Sequence, residues 1–306
     1  MSTPRIAVIV AARDAQATIK KCLDSLLALD YPEYEVIVVD DGSKDSTPRI
    51  LEEYRDKIKV ITLKGNGPSA ARNIASRQTE AEYIAFTDSD CIADRLWLKE
   101  LIKGFQDSAV AGVGGAQRVP EDETRFGRDV FVFMKKSRFF IDYMGKEKDV
   151  IISVRHNPSY NVMYRHDVFV KAGGFLEGLW PGEDVELDYR LTKQGHILKW
   201  NPKAFVYHYK PRSLKAFMKM MYRYGDAQGR LVRRYGIFRK VQMLPPVSFF
   251  IMVLFAAGLW LNWITALAAA FLSLAGLIVY FSWQPWLGLL GIIAWHTGYI
   301  KGIIKA

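Results

Sequence analysis

Two carboxylates one residue apart, Asp88 and Asp90, stand where the apolar run Tyr83-Ile84-Ala85-Phe86 stops. That spacing lets both acids face one hard divalent cation. Mg2+ and Mn2+ prefer oxygen ligands, and Mg2+ commonly keeps coordination positions for substrate phosphates. A lone D-x-D triplet arises by chance in many loops, so its surroundings decide its weight. Asp40-Asp41-Gly42-Ser43 closes a second apolar run upstream. Gly182-Glu183-Asp184 precedes a helical pattern over 185–192. An acid at the first turn of a helix is favoured by the dipole, and a carboxylate there can take a proton from an attacking hydroxyl. An ordinary helix cap would use the same residue. Asp45 reads as turn chemistry around Gly42, and His208 as either a ligand or a half-buried strand histidine. Asn157 and Asn161 read equally as pocket supports or as satisfied structural amides, and Arg190 as a residue that orients the acidic loop. His156, His166 and His196 receive no role.

The elements that must position these acids alternate. Residues 6–10 form a strand and 17–29 a helix with an apolar stripe at Ile19, Cys22, Leu23, Leu26 and Leu27. Strands follow at 36–39, 59–63 and 83–86, separated by helices at 47–54 and 69–77. This rhythm predicts an α/β fold, a mainly parallel central sheet with helices on both faces. Ligands bind such sheets at the carboxyl ends of strands, where Asp40-Asp41 and Asp88/Asp90 both lie. Residues 6–12 are cut short by Arg13 and read as a first strand rather than a secretory leader. Residues 126–143 are aromatic and basic and read as a helix or a lid.

The chain carries a formal net charge of +10, so nucleic acid, an acidic membrane and a phosphorylated substrate are all candidate partners. The charge is uneven. Residues 199–240 hold twelve Lys or Arg against one acid, Asp226. Leu214, Phe217, Met218, Met221 and Tyr222 add an apolar stripe there, the pattern of a helix lying on anionic lipid. Residues 241–300 then contain no Asp, Glu, Lys or Arg. One span takes roughly 20 apolar residues, so two or three are expected, near 246–261, 264–282 and 286–301, the third of them interfacial or re-entrant if it does not cross. The expected division is a catalytic domain over 1–210, a basic interfacial segment over 211–242 and a membrane domain over 243–306. The basic flank places the catalytic part on the cytoplasmic side of a multi-pass cell-membrane protein. Membrane spans so close to the basic zone argue against nucleic acid. Cys22 and Cys91, with neither metal spacing nor a disulfide framework, suit a reducing compartment and read as packing residues.

Taken in order, the motifs resemble the family 2 glycosyltransferases, inverting enzymes of the GT-A fold. VIVAARDAQATI stands at the first strand, VVDDGSKDST at the second, GNGPSAARN followed by EYIAFTDSD at the third helix and fourth strand. NPSYNVMYRHDVFVKAGGF, PGEDVELDYRL and VYH complete the series, which covers roughly residues 4–235. The resemblance implies that Asp41 bonds a nucleotide base with Ala11 and Asp14 near it, that Arg72 lies close to the nucleotide, and that Asp88 faces the ribose. It further implies a metal held by Asp90 with Asp88 and His208, and Asp184 as catalytic base with Glu183 beside it. Ala11-Ala12-Arg13-Asp14 replaces the family's usual Pro-Thr-Tyr-Asn. AQGRLVRRYG, with Gln228 and Arg230 but no matching Trp, departs from the Q-x-x-R-W of the membrane polysaccharide synthases.

The implied activity is a metal-dependent transfer, with Mg2+ or Mn2+, from a nucleotide sugar, UDP-sugar by default, to a hydroxyl on a lipid-linked glycan or glycolipid. The alternatives are a polyprenyl-phosphate glycosyltransferase and a small processive polysaccharide synthase. A sugar nucleotidyltransferase would carry a glycine-rich loop after the first strand, and residues 11–16 contain no glycine. A dinucleotide-dependent oxidoreductase would need G-x-G-x-x-G at the first helix, which is missing. A phosphatase using Asp88 as nucleophile would turn over without a sugar acceptor, and an inert membrane scaffold would need none of the acids. Sugar, base, acceptor and oligomeric state are not fixed by the sequence.

Overall fold

The computed structural model describes residues 3–137, 149–261 and 285–304. They fall into two compact units, one from Met1–Glu123 and Lys146–Tyr209, the other from Thr124–Gly145 and Lys210–Ala306. The second unit therefore also takes residues after Glu123 that the sequence division kept with the first.

In the first unit the chain runs β1 (Ile6–Ala12), α1 (Ile19–Leu27), β2 (Tyr34–Asp40), α2 (Thr47–Glu52), β3 (Lys59–Thr62), α3 (Pro68–Ser76), β4 (Tyr83–Asp88), β5 (Cys91–Ala93), α4 (Trp97–Ile102) and β6 (Val110–Arg118). After α5 (Arg125–Lys136), which belongs to the second unit, come β7 (Ile152–Val154), β8 (Asn161–Arg165), α6 (His166–Lys171), α7 (Glu183–Lys193) and β9 (Ile197–His208). The strands form one sheet in the order β3-β2-β1-β4-β8-β6-β9-β5, with β7 also on β9. Both faces are covered. Ile6, Val8 and Val10 pack with α1 and α4 on one side, while Ala7 and Ile9 pack with Ala71, Phe169 and Leu187 on the other.

The sheet is mixed rather than mainly parallel. β3, β2, β1 and β4 are parallel to one another because each of these strands is connected to the next in the chain through a helix. Beyond β4 the order reverses: β8 is antiparallel to β4 and β6, and β5 and β7 are antiparallel to β9. β6 and β9 run parallel. The segment β6 escapes a propensity reading because it is rich in glycine, which strands disfavour. Packing explains those glycines. A Cβ at Gly115 would sit 1.6 Å from the carbonyl oxygen of Ala204 on β9, and one at Gly114 would sit 2.2 Å from the Asn157 side chain.

The second unit contains α5, α8 (Leu214–Tyr235), a 3-10 turn at Lys240–Met243, α9 (Leu244–Leu261) and α10 (Pro285–Ile304). Ser213 caps α8 by accepting from the amide of Ala216. α5 forms the first part of the aromatic, basic segment at 126–143; residues 138–148 lie outside the described residues. Phe133 of α5 meets Phe217 of α8 edge to face at 5.5 Å. Buried Gln242 donates to Gln228 and accepts from the amides of Phe238 and Arg239, which fixes the turn between α8 and α9. α9 and α10 overlap the first and third expected spans; the second, 264–282, lies outside the described residues. Among the described residues one helix, Trp286–Ile304, is by itself long and apolar enough to cross a membrane, which does not support a multi-pass arrangement.

A methyl group at Gly115 must push β6 from β9. Gly115→Ala is expected to destabilise the protein by about 3 kcal/mol, read as a lowered thermal midpoint. A loss below about 1 kcal/mol would mean that the two strands are not held this close.

Candidate active site

β4 ends where the chain leaves the middle of the sheet for its edge. Asp88 is the last residue of β4 and lies opposite Ala11 of β1, while Cys91 opens β5 opposite His208 of β9. The two acids of the triplet therefore turn to different neighbours across a two-residue break. Asp88 Oδ1 accepts from Arg72 Nη2 at 2.6 Å, and Arg72 Nη1 donates to Glu183 Oε1 at 2.8 Å. Arg72 is only 2% exposed. Its guanidinium bridges an acid at the end of β4 and an acid at the start of α7. The face of Phe175 lies 5.8 Å from this cation.

Asp90 turns to the other side. Its Oδ1 lies 3.3 Å from His208 Nε2, and its carbonyl accepts from the amide of Tyr209. Among the described residues, Asp90, Cys91 and His208 place possible ligand atoms within 4.8 Å of one another. Burial pushes the Cys91 thiol well above its ordinary range, with Asp90 and Asp88 adding to the rise, and a soft sulfur suits a hard cation less well than oxygen does. A carboxylate beside an imidazole fits a divalent ion such as Mn2+, which accepts nitrogen as well as oxygen ligands. Asp88, expected in the ligand set, lies outside this cluster because Arg72 draws its carboxylate away.

The acids of α7 occupy its first turn, one step earlier in the helix than a leading loop would place them. Asp184 Oδ1 accepts from the amide of Val185, and its Oδ2 accepts from the amide of Ser159 at 2.9 Å. The Ser159 hydroxyl donates to Glu183 at 3.0 Å, so one residue holds both acids. Glu183 is 1% exposed. Burial pushes its carboxyl up to about 7; the charge of Asp184 adds to the rise and Arg72 opposes it. Glu183 is thus a buried partner of Arg72 and Ser159 rather than an open acid beside Asp184. One turn on, Arg190 chelates Glu186 and donates to the carbonyls of Ala172 and Gly174.

The loop that carries Ser159 is anchored from below. Buried Asp188 accepts from the amide of Asn157 at 2.6 Å and from Tyr164 Oη at 2.7 Å, and lies 3.1 Å from His156 Nδ1. Burial raises the Asp188 carboxyl, and His156 opposes that shift. Next to Ser159, the Tyr160 ring packs 4.6 Å from His208. The α7 acids and the Asp90–His208 pair are therefore linked by two routes, through Arg72 and Asp88 and through the 159–160 loop. Ser159, Tyr160 and Asp188 were not singled out from the sequence. The available signal was the polar stretch NPSY directly before a strand and an acid one turn after Asp184. Asn161 is a structural amide: it donates to the carbonyls of Ala116 and Ala204 and accepts from Trp97 Nε1. Asn157 donates to the Lys199 carbonyl.

At the first strands, Asp41 accepts from the amides of Asn66 and Gly67 at 2.7 and 2.8 Å, which sets the loop entering α3 and thereby Arg72. Asp14 adopts a left-handed φ of 50° and accepts from the Lys44 amide, pinning the β1 loop to the β2 loop. Ala11 lies in β1 between Val39 and Asp88.

The family model "Glycosyl transferase family 2" matches residues 7–173. The chain is 29% identical over 234 residues to glycosyltransferase AglE of Haloferax volcanii, covering 74% of this chain and 73% of that protein. It is 30% identical over 239 residues to the pre-mycofactocin glycosyltransferase of Mycobacterium tuberculosis, covering 75% of this chain but only 48% of that protein. Among solved structures, the mannosyltransferase PcManGT of Pyrobaculum calidifontis, in complex with GDP-Man and Mn2+, superposes with a TM-score of 0.73 at 18% identity, covering 99% of this chain and 88% of that one. TarS 1-349 of S. aureus with UDP-GlcNAc gives a TM-score of 0.55 at 21% identity, covering 98% and 90%. The mixed sheet with helices on both faces is the GT-A fold, and the chain belongs to glycosyl transferase family 2.

Proposed function

We propose that this glycosyltransferase moves a sugar, with inversion, from a nucleotide-sugar donor to a hydroxyl of a membrane-associated, lipid-linked acceptor. The observation that carries the reading is that Asp88 and Glu183, on different elements, share one buried guanidinium, which holds the α7 acids beside the end of β4. Structural neighbours that hold GDP-Man with Mn2+ and UDP-GlcNAc support a nucleotide-sugar donor and a divalent metal. The sequence division stays part of the proposal: a catalytic part over 1–210, a basic segment over 211–242 facing anionic lipid, and a membrane part over 243–306. The uncharged stretch 241–300 and the exposed side chains of Phe249, Phe250, Ile251 and Met252 support membrane association with the catalytic part on the cytoplasmic side.

The chemistry follows from the groups present. The acceptor oxygen bonds to the anomeric carbon while the bond from that carbon to the diphosphate breaks. The acceptor proton passes to Asp184, and the electron pair leaves with the diphosphate. Asp90 and His208 would hold a divalent cation, and when bound such an ion would supply charge to offset that of the leaving group. Ser159 orients Asp184 through its amide, and Glu183 fixes Ser159 and Arg72. Asp88 and Asp41 lie on the donor side, Asp88 toward the ribose and Asp41 toward the base, with Ala11 and Asp14 shaping the same strand ends.

Asp184→Asn is expected to lower transfer by about 10²–10⁴-fold while the donor still raises the melting temperature. Undiminished transfer would remove the base and favour a phosphate acceptor, which needs no deprotonation. Thermal-shift screening against UDP-, GDP- and dTDP-sugars should show stabilisation by one donor class only when Mn2+ is present. His208→Ala and Asp90→Ala should abolish that metal-dependent shift; its persistence in both would place the cation elsewhere. Glu183 holds its proton more tightly when folded, so its contribution to stability is present below pH 4.5 and lost as pH rises toward about 7. Subtracting the melting profile of Glu183→Gln from that of the native chain should expose this decline, and a flat difference would contradict the raised carboxyl.

A further inference from the structure

The second unit carries a geometric constraint on which apolar helices can cross a bilayer. α8 and α10 touch backbone to backbone. A Cβ on Gly225 would lie 1.9 Å from the Trp295 carbonyl oxygen, and one on Gly229 2.2 Å from that of Tyr299. Reciprocally, a Cβ on Gly298 would lie 1.9 Å from the Tyr222 carbonyl oxygen and one on Gly302 2.1 Å from that of Asp226. Two G-x-x-x-G faces therefore interlock, an arrangement that lets helix backbones approach closely. The partner numbers rise together along both helices, so α8 and α10 run parallel. Gly291 against Phe217 extends the same register back toward the start of α8. Lys301 lies 3.7 Å from Asp226, which Arg230 approaches at 3.9 Å.

This register decides depth. Whatever depth a stretch of α10 occupies, the α8 residues beside it share. Lys215, Lys219 and Arg223 are exposed along the part of α8 that α10 accompanies, and cations are expensive at the bilayer centre. α10 cannot carry its apolar length through the hydrocarbon without dragging this row of charge with it. The direction of the next helix agrees. The axis turns by 93° between Leu214–Tyr235 and Lys240–Leu254. If α9 enters the bilayer along its normal, α8 lies in the membrane plane, and α10 lies there with it. α10 is also two-faced. Leu287, Trp295 and Tyr299 are buried, while Trp286, Leu289, Ile293, Ile300 and Ile304 form an exposed apolar stripe at helical spacing. A basic helix beside an apolar stripe complements an anionic bilayer surface, with acyl chains below and headgroup charge alongside.

We propose that α8 and α10 form one interfacial platform lying flat on anionic lipid, so that α10 does not span the membrane although its length and composition would allow it. This inference rests on the membrane reading above and adds an orientation to it.

Single cysteines at Leu289, Ile293, Ile300 and Ile304, and at Phe249 and Leu254 of α9, can carry a nitroxide in the full-length chain, whose own Cys22 and Cys91 are buried. The protein is placed in vesicles of phosphatidylcholine with phosphatidylglycerol, and label depth is read from the balance of oxygen and aqueous nickel-complex collisions. The four α10 labels are expected at one shallow depth, and the Phe249 and Leu254 labels at different depths. A crossing α10 would spread its four labels over about 22 Å at 1.5 Å per residue, which overturns the proposal. Labels shielded from both quenchers, with Ile293→Cys cross-linking between copies, would also overturn it by assigning the stripe to a second molecule. Protein that washes off the vesicles in high salt refutes the membrane reading itself, whereas firmly bound protein with graded depths refutes only the flat platform.

Discussion

A guanidinium buried to 2% exposure and shared by two acids is the constraint on which the catalytic unit depends. A charge so enclosed is tolerable when paired, and removing one partner of a buried pair typically costs about 3–5 kcal/mol. Arg72 thus ties α3, which carries it, to the end of β4 and to the first turn of α7. Asp41 reinforces the tie from below, because its two oxygens hold the amides that lead into α3. The same geometry divides labour within each acidic pair. Asp88 and Glu183 pair with Arg72, whereas Asp90 stands beside His208 and Asp184 on Ser159.

Close backbone approach is the second recurring device. Gly114 and Gly115 let β6 run against β9 and make room for Asn157, which continues into the loop bearing Ser159. Four other glycines let α8 and α10 meet in the second unit. In each case the missing side chain lets a neighbouring element come close.

Much of this was legible in the sequence, for identifiable reasons. β1, β2 and β4 are built on apolar runs separated by periodic helices, and β2 and β4 end in the acids, so both the α/β class and the clustering of acids at strand ends could be read directly. The order of motifs specified the family. The reversal of strand direction after β4 was not legible, because it depends on pairings between β4, β8 and β6, which lie far apart in the chain. β6 was hidden by its glycines, whose value is only apparent against Ala204 and Asn157. Arg72 was expected near the nucleotide, but its burial follows from two acids far apart in sequence, Asp88 and Glu183, converging on it. Ser159 and Asp188 carry no motif of their own; each matters through a backbone amide, given by Ser159 to Asp184 and by Asn157 to Asp188.

The most direct test is a double-mutant cycle on kcat/KM for sugar transfer, using Arg72→Gln, Glu183→Gln and the pair, each checked for a cooperative melt. If Arg72 holds the donor-side and α7 acids as one unit, either single change breaks that unit and the double variant is little worse than the poorer single. The losses would then be non-additive by about 1 kcal/mol or more. Losses that simply add, within about 0.5 kcal/mol, would show that the two acids act independently and that the buried bridge does not organise catalysis.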